Sequence, residues 1–150
     1  MRTITFIIVH CSATRCNASY SFEQCRRDHI SRGWSDIGYH YYITRDGVIH
    51  TGRPETVVGA HCKNLNRHSI GVCYEGGLSE EGYAVDTRTP EQKASLRSLI
   101  LDLRSRYPNA LVMGHRDFSP DLNGNGIVEP HEWLKQCPCF DAYYEYKFLL

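Results

Sequence analysis

Two short apolar runs, each leading into a histidine, constrain this chain more than any other feature. Ile4-Thr5-Phe6-Ile7-Ile8-Val9 runs into His10, and Ala110-Leu111-Val112-Met113-Gly114 runs into His115. Both read as buried strands, because short, nearly continuous apolar stretches suit a strand covered by other elements. If they are neighbours in one sheet, both imidazoles emerge at the same edge.

The segments between them carry helix and hairpin signals, so the chain reads as one α/β domain over residues 1–150. Ser21 can cap a helix over Ser21–Arg32, with Gly33 where it would stop. Tyr39-His40-Tyr41-Tyr42-Ile43-Thr44 and Val48-Ile49-His50-Thr51 flank Arg45-Asp46-Gly47, a hairpin around an Asp-Gly turn. Ser69 to Tyr74 is a further strand. Thr89-Pro90-Glu91-Gln92 starts a helix, with Thr as cap, Pro at the first position and Gln92 where a capping box needs it. Leu96, Leu99, Ile100, Leu103 and Tyr107 then recur at helical spacing, which predicts a face packed on the sheet, and Pro108 ends it. Phe140 to Phe148 reads as a closing helix.

With 150 residues the chain can bury a core without staples. Lys+Arg and Asp+Glu are 17 each, with no basic block, so nothing argues for nucleic acid as partner. The longest apolar run is too short to span a membrane. No signal peptide is visible, since the chain enters a strand within three residues and His10 must be retained. Synthesis in the cytoplasm is therefore expected. Seven cysteines are many for such a chain. Most are expected to be reduced and packed, with a Cys16–Cys25 disulfide left open.

A metal site emerges when Cys137, in Lys135-Gln136-Cys137-Pro138-Cys139-Phe140, is set beside the two histidines. Two imidazoles and a thiolate make a three-ligand set for Zn²⁺ that keeps a fourth position open, the mark of a catalytic site. Spacing alone does not establish it, because there is no local signature and eight histidines offer many triplets.

The surrounding motifs do more. His10-Cys11-Ser12-Ala13-Thr14, Gly33-Trp34, Gly38-Tyr39-His40, Gly59-Ala60-His61, Asn66-Arg67-His68-Ser69-Ile70-Gly71-Val72 and Lys135-Gln136-Cys137-Pro138 follow in that order. The chain resembles the zinc-dependent N-acetylmuramoyl-L-alanine amidases of the phage-lysozyme type, the family that includes the peptidoglycan recognition proteins. The resemblance spans about Ile4 to Phe140. It implies a single mixed β-sheet flanked by helices, zinc on His10, His115 and Cys137, and cleavage of the amide between N-acetylmuramic acid and L-alanine in peptidoglycan or muropeptides. It also implies that Tyr39 and Lys135 assist: Tyr39 orients water or moves a proton, and Lys135 faces the developing oxyanion. His61, Trp34, Asn66 and Arg67 are expected along the substrate wall. A monomer suffices. Such an enzyme would reach the wall after lysis or by a non-classical route. Alternatives are a non-catalytic peptidoglycan-binding module and a calcium-dependent interaction domain.

The calcium alternative comes from a segment the short phage pattern lacks, at about 119–133. Asp121, Asn123 and Asn125 alternate, Gly126 follows, and Glu132 stands at the twelfth position, as in an EF-hand loop. Pro120 denies it the usual entering helix. Two readings stand: a structural Ca²⁺ site, or an Asn/Gly-rich turn stitched by its own side chains.

Overall fold

The computed structural model describes every residue except Met1, Asp121, Ile127, Leu134, Lys135 and Leu150, and of Glu132 only the backbone. The expectations for Lys135, Asp121 and the Glu132 side chain therefore lie outside the described residues.

A five-stranded sheet carries the fold. It begins with β1 (Phe6–Cys11), an interior strand, with β2 (Thr14–Arg15) following it outside the main sheet. The main sheet adds β3 (Tyr41–Ile43), β4 (Ile49–Thr51), β5 (Ser69–Tyr74) and, after the short β6 (Gly77–Leu78), β7 (Leu111–Gly114). The order is β4-β3-β5-β1-β7, and β2 pairs with β6 in a separate two-stranded ribbon. β3, β5, β1 and β7 are parallel, while β4 runs antiparallel to β3 at one edge, so the sheet is mixed as expected. The two histidine-tipped runs are indeed neighbours: Val9 stands opposite Gly114, which puts His10 and His115 together at the carboxyl edge.

Alternation along β1 separates its two faces. Ile7, Val9 and Cys11 join the main core with Ile70, Val72, Leu96, Ile100 and Leu103. The last three lie on α2 (Pro90–Arg106), whose capping box at Thr89 and Gln92 forms as the sequence predicts. Gln92 is fully buried, and its Nε2 amide donates to the carbonyls of Ile43 and Glu75, tying the helix start to the sheet. On the opposite face Tyr42 and Cys73 pack with Cys25 of α1 (Phe22–Ser31). Ser21 caps α1 by accepting from the Gln24 N–H, and Gly33 follows its end at φ +93°, a conformation glycine adopts without a Cβ penalty.

Two expectations shift, and a question left open is answered. Tyr39 and His40 precede β3 instead of lying in it; they occupy a bend, where His40 bonds Gly71 through its N–H at 2.9 Å. The closing helix, α3, is short (Ala142–Tyr146) and starts two residues later because Asp141 caps it, accepting from the Tyr144 N–H at 3.0 Å. All seven cysteines are free thiols, so Cys16 and Cys25 are not paired: Cys25 faces inward against Tyr42 and Cys73.

Candidate active site

The carboxyl edge of β1 and β7 builds the site. His10 is the buried penultimate residue of β1, and His115 opens the 3₁₀ turn His115–Phe118 immediately after β7. Their ring centroids lie 4.6 Å apart. Asp117 holds the turn by accepting from the Gly114 N–H at 2.8 Å, and Phe118 packs edge-on against Phe6 at 5.1 Å.

Cys137 is bonded to β1 and to the turn that follows β7. Its carbonyl accepts from Arg116 N–H at 2.8 Å, and its Sγ accepts from Cys11 N–H at 3.1 Å. The next residue is fixed too, with Tyr74 Oη donating to the Pro138 carbonyl at 2.6 Å. The result is that one donor atom each from His10, His115 and Cys137 lies within 4.8 Å of the other two. Two nitrogens and one sulfur tetrahedrally bound to zinc stand roughly 3.3–3.6 Å apart, given bond lengths near 2.0–2.3 Å. The donor chemistry and the convergence therefore fit one such ion.

The family model for N-acetylmuramoyl-L-alanine amidase matches residues 1–138. The chain belongs to that amidase family. An endolysin of Escherichia phage T7 is 39% identical over 135 residues, covering 90% of this chain and 80% of the relative. The solved N-acetylmuramoyl-L-alanine amidase LysC from Clostridium intestinale URNW superimposes with a TM-score of 0.71 at 30% identity, over 96% of this chain and 82% of that one. A peptidoglycan-recognition protein, SC2 of Drosophila melanogaster, is 36% identical over 101 residues, covering 65% of this chain and 52% of its own length.

Around His10, His115 and Cys137 lies a cleft of about 230 Å³, bordered by Ser12, Arg32, Trp34, Tyr39 and His61 among others. Tyr39 is set 5.2 Å from the His10 ring and 5.5 Å from that of His29. Its bend is clamped from two sides. His29 Nδ1 accepts the Gly38 N–H at 2.8 Å, and Gly38 carbonyl accepts Ala60 N–H at 2.9 Å. A Cβ at residue 38 would run into the Ala60 carbonyl, so the crossing needs glycine. Burial pushes the Tyr39 phenol far above its usual range, and it stays an O–H at neutral pH.

His61 also borders the cleft, but both its ring nitrogens are engaged inside the protein. Nδ1 lies 2.8 Å from His10 Nε2, and Nε2 lies 3.2 Å from Ser69 Oγ. Burial first, then the neighbouring His40 and His115, lower its pKa to about 3, so the ring is neutral. Trp34 stands on the cleft wall, its ring 4.7 Å from His29 and under the Arg32 guanidinium at 5.7 Å.

Asn66 and Arg67 are not brought to the cleft. Asn66 Oδ1 accepts from His61 N–H and Cys62 N–H, both at 2.9 Å, so it caps the loop that carries His61. Arg67 is exposed on the 3₁₀ turn Asn66–His68. Sequence reasoning passed over Arg32, and over Lys63 and Arg116, which line a second depression of about 250 Å³ sharing His115 with the cleft. A surface cation carries no periodic signal to announce such a role.

In the 119–133 segment the described side chains stitch the loop internally. Glu129 Oε1 accepts from Asn123 Nδ2 at 3.0 Å and from Asn125 Nδ2 at 2.5 Å. Gly124 and Gly126 hold φ at +69° and +84°.

Proposed function

We infer that this amidase hydrolyses the bond between the lactyl group of N-acetylmuramic acid and the L-alanine of the stem peptide, using one zinc held by His10, His115 and Cys137. The observation that carries this is the convergence of those three donors at the cleft, in a chain of the amidase family. Zinc bound there would supply Lewis acidity toward the scissile carbonyl and an activated water.

The chain's own residues do the rest. The Cys11 N–H donates to Cys137 Sγ, which holds the sulfur toward the two histidines. Tyr39, kept as an O–H beside His10, would orient the water or pass its proton toward the leaving amine. Lys135, two residues before Cys137, would set its ammonium against the oxyanion. Trp34 and Arg32 offer an apolar face and a charge to the substrate beyond the reacting amide. All these groups come from one chain, consistent with action as a monomer on peptidoglycan or muropeptides. A calcium ion in the Asp121–Glu132 loop would be structural, bracing the segment that leads to Lys135 and Cys137.

A peptidoglycan-binding module without catalysis is less favoured, because the ligand trio is complete. Elemental analysis of the purified protein beside a muropeptide digest separates the two. About one zinc per chain with stem peptide released is the expected outcome. No zinc and no release, even after zinc is added back, would overturn the enzyme in favour of the module.

A further inference from the structure

We propose that His61, braced by Ser69, is a positioning residue that fixes the tautomer and orientation of the His10 ring for metal binding. The proposal rests on the zinc reading above and assigns His61 a task other than substrate contact.

The hydrogen bonds leave little latitude. His10 Nε2 and His61 Nδ1 are 2.8 Å apart, and His61 Nε2 and Ser69 Oγ are 3.2 Å apart. A hydroxyl both donates and accepts, so the chain can run in either direction. In one direction Ser69 donates to His61, and His61 donates to His10 Nε2, which leaves His10 protonated on Nδ1. In the other, His10 Nε2–H donates to His61 Nδ1, and His61 Nε2–H donates to Ser69. Only the second places a lone pair on His10 Nδ1, as a ligand nitrogen requires. A cation at the His10–His115–Cys137 cluster therefore selects that direction, and the relay in turn holds the ring in its binding tautomer. Ligating histidines ordinarily find a carboxylate or carbonyl for this purpose; here a second imidazole serves.

The fold is shaped around this ring. A Cβ at Gly71 would sit 2.6 Å from the His61 ring, and one at Gly59 would sit 2.8 Å from it. Asn66 fixes the His61 backbone, and Ser69 is wholly buried at the start of β5. A merely space-filling residue would need neither the serine nor the directed nitrogens.

The test compares His61→Ala with His61→Asn in the full chain, stripped of metal and reloaded. Asn Oδ1 occupies the place of histidine Nδ1 and can accept from His10 Nε2–H. Zinc affinity is read by competition with a chromophoric chelator, and ring tautomers by ¹⁵N NMR. We expect His61→Ala to weaken zinc about 10–100-fold and to let the His10 ring sample both tautomers. His61→Asn should recover most of the affinity and keep the His10 Nε2–H signal. Equal losses in the two variants, or an unchanged His10 tautomer in His61→Ala, would overturn the proposal. Should His61→Ala fail to fold, Ser69→Ala reads the same relay: its His61 ring should exchange between tautomers, and a fixed one counts against us. A wild-type chain that binds no zinc would instead sink the zinc reading itself.

Discussion

The segment from Arg53 to Cys62 joins two polar networks of opposite character, one half-exposed and one buried. Near its start, the Glu55 carboxylate accepts from both Arg106 nitrogens at 2.6 and 2.9 Å, from Tyr107 Oη at 2.6 Å and from Tyr41 Oη. Burial alone would raise its pKa, but these donors bring it down to about 2. Charge meets charge, and the network closes on itself. Near its end, His61 joins His10 and Ser69, and the ring cluster continues to His115 and the Cys137 thiol. There burial drives rings toward neutrality, lowering His40 to about 4 and His61 to about 3. The first arrangement spends every donor on stability. The second gathers lone-pair donors at a cleft, which is costly unless a cation is to be held there.

The sharpest way to break this contrast is to remove a donor from the second network. Cys137→Ala should abolish zinc binding and cut amidase turnover by roughly a thousandfold or more, since Lewis-acid stabilisation is worth several kcal/mol. Metal content at the wild-type level in that variant would end the ligand assignment. Lys135→Ala comes next. It should keep zinc, because the lysine is no ligand, yet lose about 10²–10³-fold in turnover if its charge meets the oxyanion. An unchanged rate would remove Lys135 from the chemistry.

Glu55→Gln probes the closed network and should spare catalysis. The folded pKa, about 2, lies below the ordinary 4.5, so the carboxylate contributes stability that is fully present above about pH 4.5 and is lost as pH falls toward 2. The variant should therefore melt lower than wild type at neutral pH, with the gap closing between pH 4.5 and 2. A constant gap across that range would show that Glu55 stabilises by packing and not by its charge.

How much of this was legible in the sequence depends on the range of the interaction. Local signals came through: the Ser21 and Thr89 caps, the Gly33 stop and the Asp46-Gly47 turn all lie where residue chemistry puts them. The pairing of β1 with β7 followed from two similar runs ending in histidine, and with it the His10–His115 edge. The Cys137 approach came from the family resemblance, because contacts 126 residues apart leave no local trace. Asn66 lies away from the cleft for a related reason. Its order in the motif matched a groove residue, but a short amide beside two unpaired N–H groups folds back to cap them. Nothing local in the sequence marks the seat of the His61 ring, because Gly59 and Gly71 make room for it only in the folded chain.

The smallest expected effect concerns the 119–133 loop, where the sequence allows both an ion and a self-stitched turn. With Glu129 binding Asn123 and Asn125, the described residues already satisfy part of the turn without a cation. A cage that lacks its entering helix and offers two neutral Asn ligands should bind weakly, with a Kd of about 10⁻⁴ M. At about 1 mM Ca²⁺ such a site adds roughly 1.4 kcal/mol, or about 3–6 °C in Tm for a chain of this size. Melting the zinc-loaded protein with and without Ca²⁺ reads this directly, and Asp121→Ala should erase the shift. A Tm indifferent to Ca²⁺ would leave the loop a turn held by Glu129. In that case the segment, like the Glu55 network, is closed on itself, and among the described residues the His10 edge is where three donors converge.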